Sequence, residues 1–457
     1  MRMMTIWNDF AAAGLFLFAL LPFPPCLFAQ EKTLTRQDDP VVMEGRQFQS
    51  RPAGPAGQLA LVAWHHHAWA PVPFQIDQKK PDGSYCFTQG PEAGADPDPD
   101  FDANDELVFM AKDSGDRAEP GEWPAGARTV REIELTDPQS GEQGWLYLAG
   151  FAGQTPRSGE DYIRVEVDPA AHYRRVITYE YIMGGPMDRV YPDFMAANRA
   201  EGSRGKDVLD RLKMRGEVVL PLGITVPFAF DEMTKAQDVG WIDGPVRVLH
   251  LAQGYIEIAK YFRFKIEGYS LISYYVNHMI WPIALSAPGS SHIIKTVNFR
   301  GYMDFCPAVY GSYPFSAANP LNEQVILDGH MSEAEKHLDT RTPIAWNAGF
   351  GPQGALVSRL FTVPPIPGQK QLPYYLDDAT VNDPPEACPG VSAVGYTLVN
   401  PSGEQPPGVI TYQYYYFLNQ LQPEQVQRIL DILDHPLQVK TQTLAPLAED
   451  LTPKNPQ

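Results

Sequence analysis

Residues 253–280 read QGYIEIAKYFRFKIEGYSLISYYVNHMI. Ile256, Ile258, Phe262, Phe264 and Ile266 alternate with Glu257, Ala259, Tyr261, Arg263, Lys265 and Glu267, and Lys260 is the one polar residue in the apolar register. Period-two alternation over this length predicts an antiparallel strand with one apolar face. Gly268-Tyr269 suits a two-residue hairpin turn with glycine first. Leu271–Ile280 is then the return strand, and Trp281-Pro282 ends it or bends it at an edge. In that register Glu267 faces Ser270, Tyr274 faces Arg263, His278 faces Ala259, Tyr261 faces Val276 and Glu257 faces Ile280.

One face of such a ribbon carries Glu257, Tyr261, Arg263, Tyr274 and His278. Tyr261, Arg263, Tyr274 and His278 are the candidate ligand-binding set, with the hydrogen-bonding and aromatic groups that suit a sugar. The catalytic candidates are His278 or Tyr274 as base, Arg263 to neutralise a carboxylate, and Glu257 beside them. The competing expectation is a solvated sheet surface with ordinary cross-strand pairs. A slip of one residue reverses every facing.

Around the ribbon the composition is that of a β protein. The chain has 457 residues, with 37 Gly, 44 Pro, 22 Tyr and 22 Phe. Abundant turn formers and aromatics with few helical patterns predict an all-β body. Strands are expected at 58–64, 71–77, 106–111, 129–135, 144–151, 162–167, 174–181, 293–299, 324–327, 355–361, 394–398 and 409–417. A short helix is expected within 208–216, irregular chain over 184–206 and a proline-rich loop over 364–389. Near the end, Pro423 suits a first helical position. Val426, Ile429, Leu430 and Leu433 share one apolar helical face. Tyr412 and Tyr414–Tyr416 form an aromatic stripe; such stripes are mostly core, and exposed ones stack on sugar rings.

The N-terminus carries an address. Arg2 precedes an almost wholly apolar run, Ala11–Leu21, and small residues lead to an expected cut after Ala29. That layout predicts a signal peptide over residues 1–29 and a periplasmic or extracellular protein. Cys26 as a lipid anchor fits poorly after Pro24 and Pro25. No later window holds the ~18 apolar residues of a spanning helix, so no transmembrane segment is expected in the mature chain. A net charge of −19 disfavours nucleic acid as a partner. Residues 30–155 are expected to form an N-terminal β subdomain, 156–440 the main sandwich and 441–457 a tail.

Three further features bear on chemistry. DPDPDFDAND, residues 96–105, places Asp96, Asp98, Asp100, Asp102 and Asn104 at alternate positions. Alternate side chains of an extended segment point the same way, so this set is the candidate calcium site. The glycine and bidentate glutamate of an EF-hand loop are missing, and a solvated acidic turn is the bland alternative. His65 and His67 could share a strand face, but two imidazoles without a third ligand do not make a metal site. Beyond the leader, Cys86, Cys306 and Cys388 allow one disulfide and leave one thiol, with three pairings open. No GxSxG, HExxH, Walker loop or strand-to-helix GxGxxG occurs.

Two pieces carry a resemblance. VPFQID at Val72–Asp77 with FDANDELVFMAKD at Phe101–Asp113 resembles a motif pair of uncharacterised secreted bacterial proteins. DGPVRVL at Asp243–Leu249, with Tyr-Tyr-x-Asn at Tyr274–Asn277, is similar to the large antiparallel supersandwich of mutarotase-like proteins and several polysaccharide lyases. That resemblance implies two stacked twisted sheets with a face that receives carbohydrate. The expectation is an all-β, supersandwich-like protein with a short C-terminal helix. Its expected role is carbohydrate-associated and non-catalytic, with calcium in the acidic loop. The alternatives are a polysaccharide lyase or sugar epimerase, or a structural partner in an envelope assembly.

Overall fold

The structure, a computed structural model, describes residues 30–48, 54–199, 204–219, 221–256, 266–284, 296–400, 409–418, 422 and 425–444. Among them five sheets form, each built from antiparallel neighbours. The largest has eight strands in the order Thr234–Asp243, Arg247–Ile256, Ile266–Tyr275, His278–Ala284, Ile410–Leu418, Gly354–Val363, Trp346–Gly351 and Tyr313–Ser316. A five-stranded sheet follows the order Thr225–Ala229, Leu209–Val219, Thr296–Phe305, Val391–Val399 and Lys370–Asp378. A four-stranded sheet contains Ile163–Asp168, Tyr173–Thr178, Tyr181–Pro186 and Phe194–Ala197.

These three sheets share one core. Trp241, Val248, Ile272, Tyr274, Met279, Trp281, Tyr415 and Phe417 come from the eight-stranded sheet. Leu209, Leu212, Met303 and Phe305 meet them from the five-stranded sheet, and Ile163, Val176, Tyr181, Met183 and Met195 from the four-stranded one. Alternation along each strand sends these residues inward and their neighbours outward. The all-β sandwich read from the sequence is the observed architecture.

The other face of the eight-stranded sheet is covered twice. At one end Val108, Met110 and Tyr162 pack on Tyr275 and Val276, while Phe87 packs on Ile242 and Leu249. At the other end the helix Val426–Asp434 buries Val426, Ile429 and Leu430 against Phe315, Ala348, Val357 and Tyr416. The apolar face read from the sequence is therefore the docking face of that helix; Pro423 lies outside the described residues.

The N-terminal body has two sheets. One is Pro40–Glu44, Glu106–Met110 and Phe74–Asp77. The other runs Gln438–Leu444, Ala127–Thr136, Gln143–Phe151, Leu59–His65 and Ala68–Pro71. Its first strand corrects the expected boundary at 440. Residues 438–444 are an edge strand of the N-terminal sheet, paired from Gln438 with Thr136 to Leu444 with Val130. The alternation of Val439 with polar neighbours was too slight to mark a strand, and the pairing comes from the exposed edge of Ala127–Thr136.

Other local expectations shift as well. Residues 209–219 are a strand, not a helix, because Leu212 and Met214 turn to the shared core while Lys213 and Arg215 turn to the opposite face, where Lys213 is itself buried. The stretch 324–327 is not a strand, and 184–206 holds the strand Phe194–Ala197. The proline-rich 364–389 contains the strand Lys370–Asp378. Pro373 is tolerated there because this strand is at the sheet edge, where a missing N–H leaves no ladder bond unmade. Cys306 and Cys388 form the disulfide, and Cys86 is a buried free thiol.

Candidate functional site

The ribbon forms in a different register from the one expected. Arg247–Ile256 pairs with Ile266–Tyr275, from Arg247 with Tyr275 to Ile256 with Ile266. Gly268 is therefore mid-strand, opposite Gly254, and does not make the turn. Glu257, Lys260, Tyr261 and Arg263 lie outside the described residues. A second correction concerns parity. The chain turns at Val276-Asn277, and Tyr274 pairs with Met279 across that turn. Cross-strand partners share a face, so His278 faces the side opposite to Tyr274. Asn277 was the signal, since asparagine is a favoured turn residue.

Tyr274 is 7% exposed and belongs to the inter-sheet core, where burial pushes its hydroxyl up to about 12. His278 is 2% exposed. Its Nδ1 lies 2.8 Å from Asn277 Oδ1, and the Asn277 amide nitrogen donates to Asp38 O, so Nδ1 carries the imidazole proton. Burial holds its pKa down to about 3, which leaves the ring neutral. It stacks between Tyr275 at 4.6 Å and Tyr416 at 4.8 Å. Neither Tyr274 nor His278 is placed to meet a solvent-borne substrate, and the two do not share a site.

The acidic loop uses its carboxylates on itself. Asp96 accepts from the Asp98 N–H, Asp98 from the Asp100 N–H and Asp102 from the Asn104 N–H, each at 3.0 Å. Asp100 pairs through its backbone with Pro55, and the Asn104 amide donates to Lys80 O at 2.8 Å. These are successive Asx turns, the local alternative to convergence on one cation. Among the described residues the loop brings no three carboxylates together as ligands; the one cluster within ligand distance is Asp210 with the disulfide-bonded Cys306 and Cys388. At the histidine triplet, Trp64 pairs with Trp69 and His65 with Ala68. His66 and His67 make the two-residue turn, with φ of 49° and 62°. The shared strand face that His65 and His67 needed is absent.

The motif pair has a structural role that the sequence did not disclose. Gln75 Oε1 accepts from the Arg247 and Val246 N–H groups at 2.8 and 3.2 Å, and its amide donates to Asp77 at 2.7 Å. The Arg247 guanidinium bonds Asp77 and, at 2.6 Å, Glu106. Lys79 and the Tyr85 hydroxyl also reach Glu106. PFQID, DELVF and GPVRV thus meet in one buried network joining the N-terminal body to the large sheet. Burial alone would raise the Glu106 carboxyl, but Arg247 and Lys79 outweigh it and hold it low.

Among the described residues an aromatic row runs along the outer face of the large sheet. Tyr275, His278, Tyr416, Tyr414, Phe361 and Tyr412 succeed one another across it. The first three are buried beneath the N-terminal body and the helix. Tyr414, Phe361 and Tyr412 are half-buried. Phe361 sits 5.4 Å from Tyr414 and 5.6 Å from Tyr412, with ring planes within 21° and 25°. Arg359 is the cross-strand partner of Tyr414, and its guanidinium donates to Asp434 at 2.7 Å. Three near-parallel rings flanked by a charged pair can stack an apolar ring face and hydrogen-bond its rim.

No protein-family model matches the chain, and no curated protein matches it. Among solved structures, an alpha-mannosidase from Enterococcus faecalis V583 is similar with a TM-score of 0.42 and 10% sequence identity. The match covers 93% of this chain and 46% of that one, so the chain spans less than half of that protein's length.

Proposed function

We propose that this chain is an exported, non-catalytic carbohydrate-binding protein whose platform is Tyr414, Phe361 and Tyr412, with Arg359 and Asp434 at its rim. The stack of half-buried, near-parallel rings on an open sheet face carries the reading. Sugar rings present flat C–H faces that pack on aromatic faces, and hydroxyl rims that pair with charged groups. Binding is favoured over catalysis because His278 is neutral and enclosed and Tyr274 faces the core. Export rests on Arg2 and the apolar run Ala11–Leu21. Titration calorimetry with a panel of neutral and uronate-containing oligosaccharides tests the reading. Tyr412→Ala and Phe361→Ala are each expected to weaken binding on the order of tenfold. No binding by the parent protein across the panel, or variants that bind as the parent does, ends the proposal.

One observation favours a second reading, a partner in an envelope assembly. The hairpin joining Leu209–Val219 to Thr225–Ala229 presents Leu222 at 95%, Ile224 at 56% and Val226 at 45% exposure. An apolar tip of this kind suits protein contact. On that reading, Leu222→Ser with Ile224→Ser abolishes association seen by sedimentation while leaving sugar binding intact.

A further inference from the structure

Between the five- and eight-stranded sheets lies a cavity of ≈ 100 Å³ that opens to solvent. Met195, Met303, Phe305, Leu356, Tyr415 and Phe417 supply much of its wall. A second void of ≈ 40 Å³ shares Gly301, Tyr396 and Gln413 with the first, so the space is drawn out along the interior.

Two glycines keep it hollow. Gly301 lies inside the strand Thr296–Phe305, paired with Met214 and Tyr396. Its backbone does not adopt positive φ, and a Cβ built there meets nothing within 4 Å. Gly349 lines the space from the facing sheet, and its nearest neighbour to an added Cβ is 3.7 Å away. Glycine in a strand interior destabilises relative to a residue with a side chain. Here neither backbone conformation nor a close neighbour requires it at Gly301. Leaving apolar core space unfilled also destabilises.

The polar features restrict what the space could hold. Among the described residues that line it the one charged side chain is Glu180, with no Lys, Arg or His. A carboxylate or phosphate would enter uncompensated. Gln353, in the tight turn between Gly351 and Gly354, donates its amide N–H to Ala308 O. Its Oε1 is buried without a hydrogen-bond partner. An acceptor left unpaired in an apolar cavity calls for a donor from a ligand.

We infer that the inter-sheet cavity binds a linear apolar chain with an uncharged, hydrogen-donating head, such as a fatty alcohol or monoacylglycerol, the head donating to Gln353 Oε1. This site is separate from the aromatic platform, which faces the other side of the same sheet. Its success or failure is independent of the carbohydrate reading.

The test is fluorescence titration of the full chain with N-phenyl-1-naphthylamine, followed by displacement with hexadecanol or palmitate at neutral pH. Probe uptake is expected, with hexadecanol displacing it at more than about tenfold lower concentration than palmitate. Gly301→Leu and Gly349→Val, each checked for folding by circular dichroism, fill the space. Either is expected to weaken uptake by more than about tenfold while the melting temperature holds or rises. No uptake by the parent protein overturns the inference, as does undiminished uptake by a folded filled variant. Displacement by palmitate as readily as by hexadecanol overturns the assignment of an uncharged head.

Discussion

Arg247, at the start of a strand in the large sheet, closes a buried ion pair with Asp77, at the end of a strand in the N-terminal body. Both side chains are almost fully buried, and Glu106 bonds the same guanidinium. Removing one partner of such a set leaves charge in a low-dielectric interior. Arg247→Ala is expected to destabilise by about 3–5 kcal/mol. Asp77→Asn with Arg247→Met is expected to cost less than the two single changes together. Urea unfolding of the parent, Arg247→Ala, Asp77→Asn, Arg247→Met and the double variant measures this. Additive losses would show that the two residues act separately.

His278 is buried neutral, with a folded pKa near 3 against 6.5 for a free imidazole. Between those values the unfolded chain binds a proton that the folded one does not. Stability contributed by this group is therefore complete above about pH 6.5 and is lost as pH falls toward about 3. The loss is on the order of several kcal/mol. His278→Phe, which keeps the stack with Tyr275 and Tyr416, is expected to flatten the dependence of stability on pH over that range. Asp304, raised to about 6 mainly by burial, works in the opposite sense and is common to both proteins. Equal slopes in parent and variant would refute the assignment.

The disulfide ties Cys306, just past the strand Thr296–Phe305, to Cys388 in the loop 379–390. Beside it, Asp210 accepts from the Ala387 and Cys388 N–H groups, and buried Lys213 bonds Asp304 at 2.6 Å. The sequence separation is 82 residues, a long loop to constrain in the unfolded chain. Cys306→Ser with Cys388→Ser is expected to destabilise by about 2–5 kcal/mol. A reducing agent should lower the melting temperature of the parent but not of the double variant. Cys86→Ser should leave that sensitivity to reductant in place.

The acidic loop makes a negative prediction. Its aspartates already cap backbone N–H groups, and no three converge. Melting curves with millimolar calcium and with a chelator are expected to coincide. A rise of several degrees with calcium would show that the ion reorganises the loop.

Much of the architecture was legible in the order of residues. Alternating runs, frequent turn formers and abundant aromatics can bury a core only as paired strands, and Val426, Ile429, Leu430 and Leu433 can share a face only on a helix. The candidate site was legible in part: the tyrosine stripe could be read, but which of its rings are covered could not.

Register, parity and coverage were decided by the tertiary structure. Gly268 faces Gly254, and Val248 and Ile272 reach the shared core, because three sheets converge on that side. The local glycine turn signal was overruled by burial of many side chains at once. His278 and Tyr274 part company because a turn at Asn277 divides what read as one strand. The choice among three cysteine pairings, and the meeting of Asp77 with Arg247, depend on which distant segments the core brings together. Local preference amounts to a fraction of a kcal/mol per residue, whereas a buried side chain contributes about 1.5–3 kcal/mol.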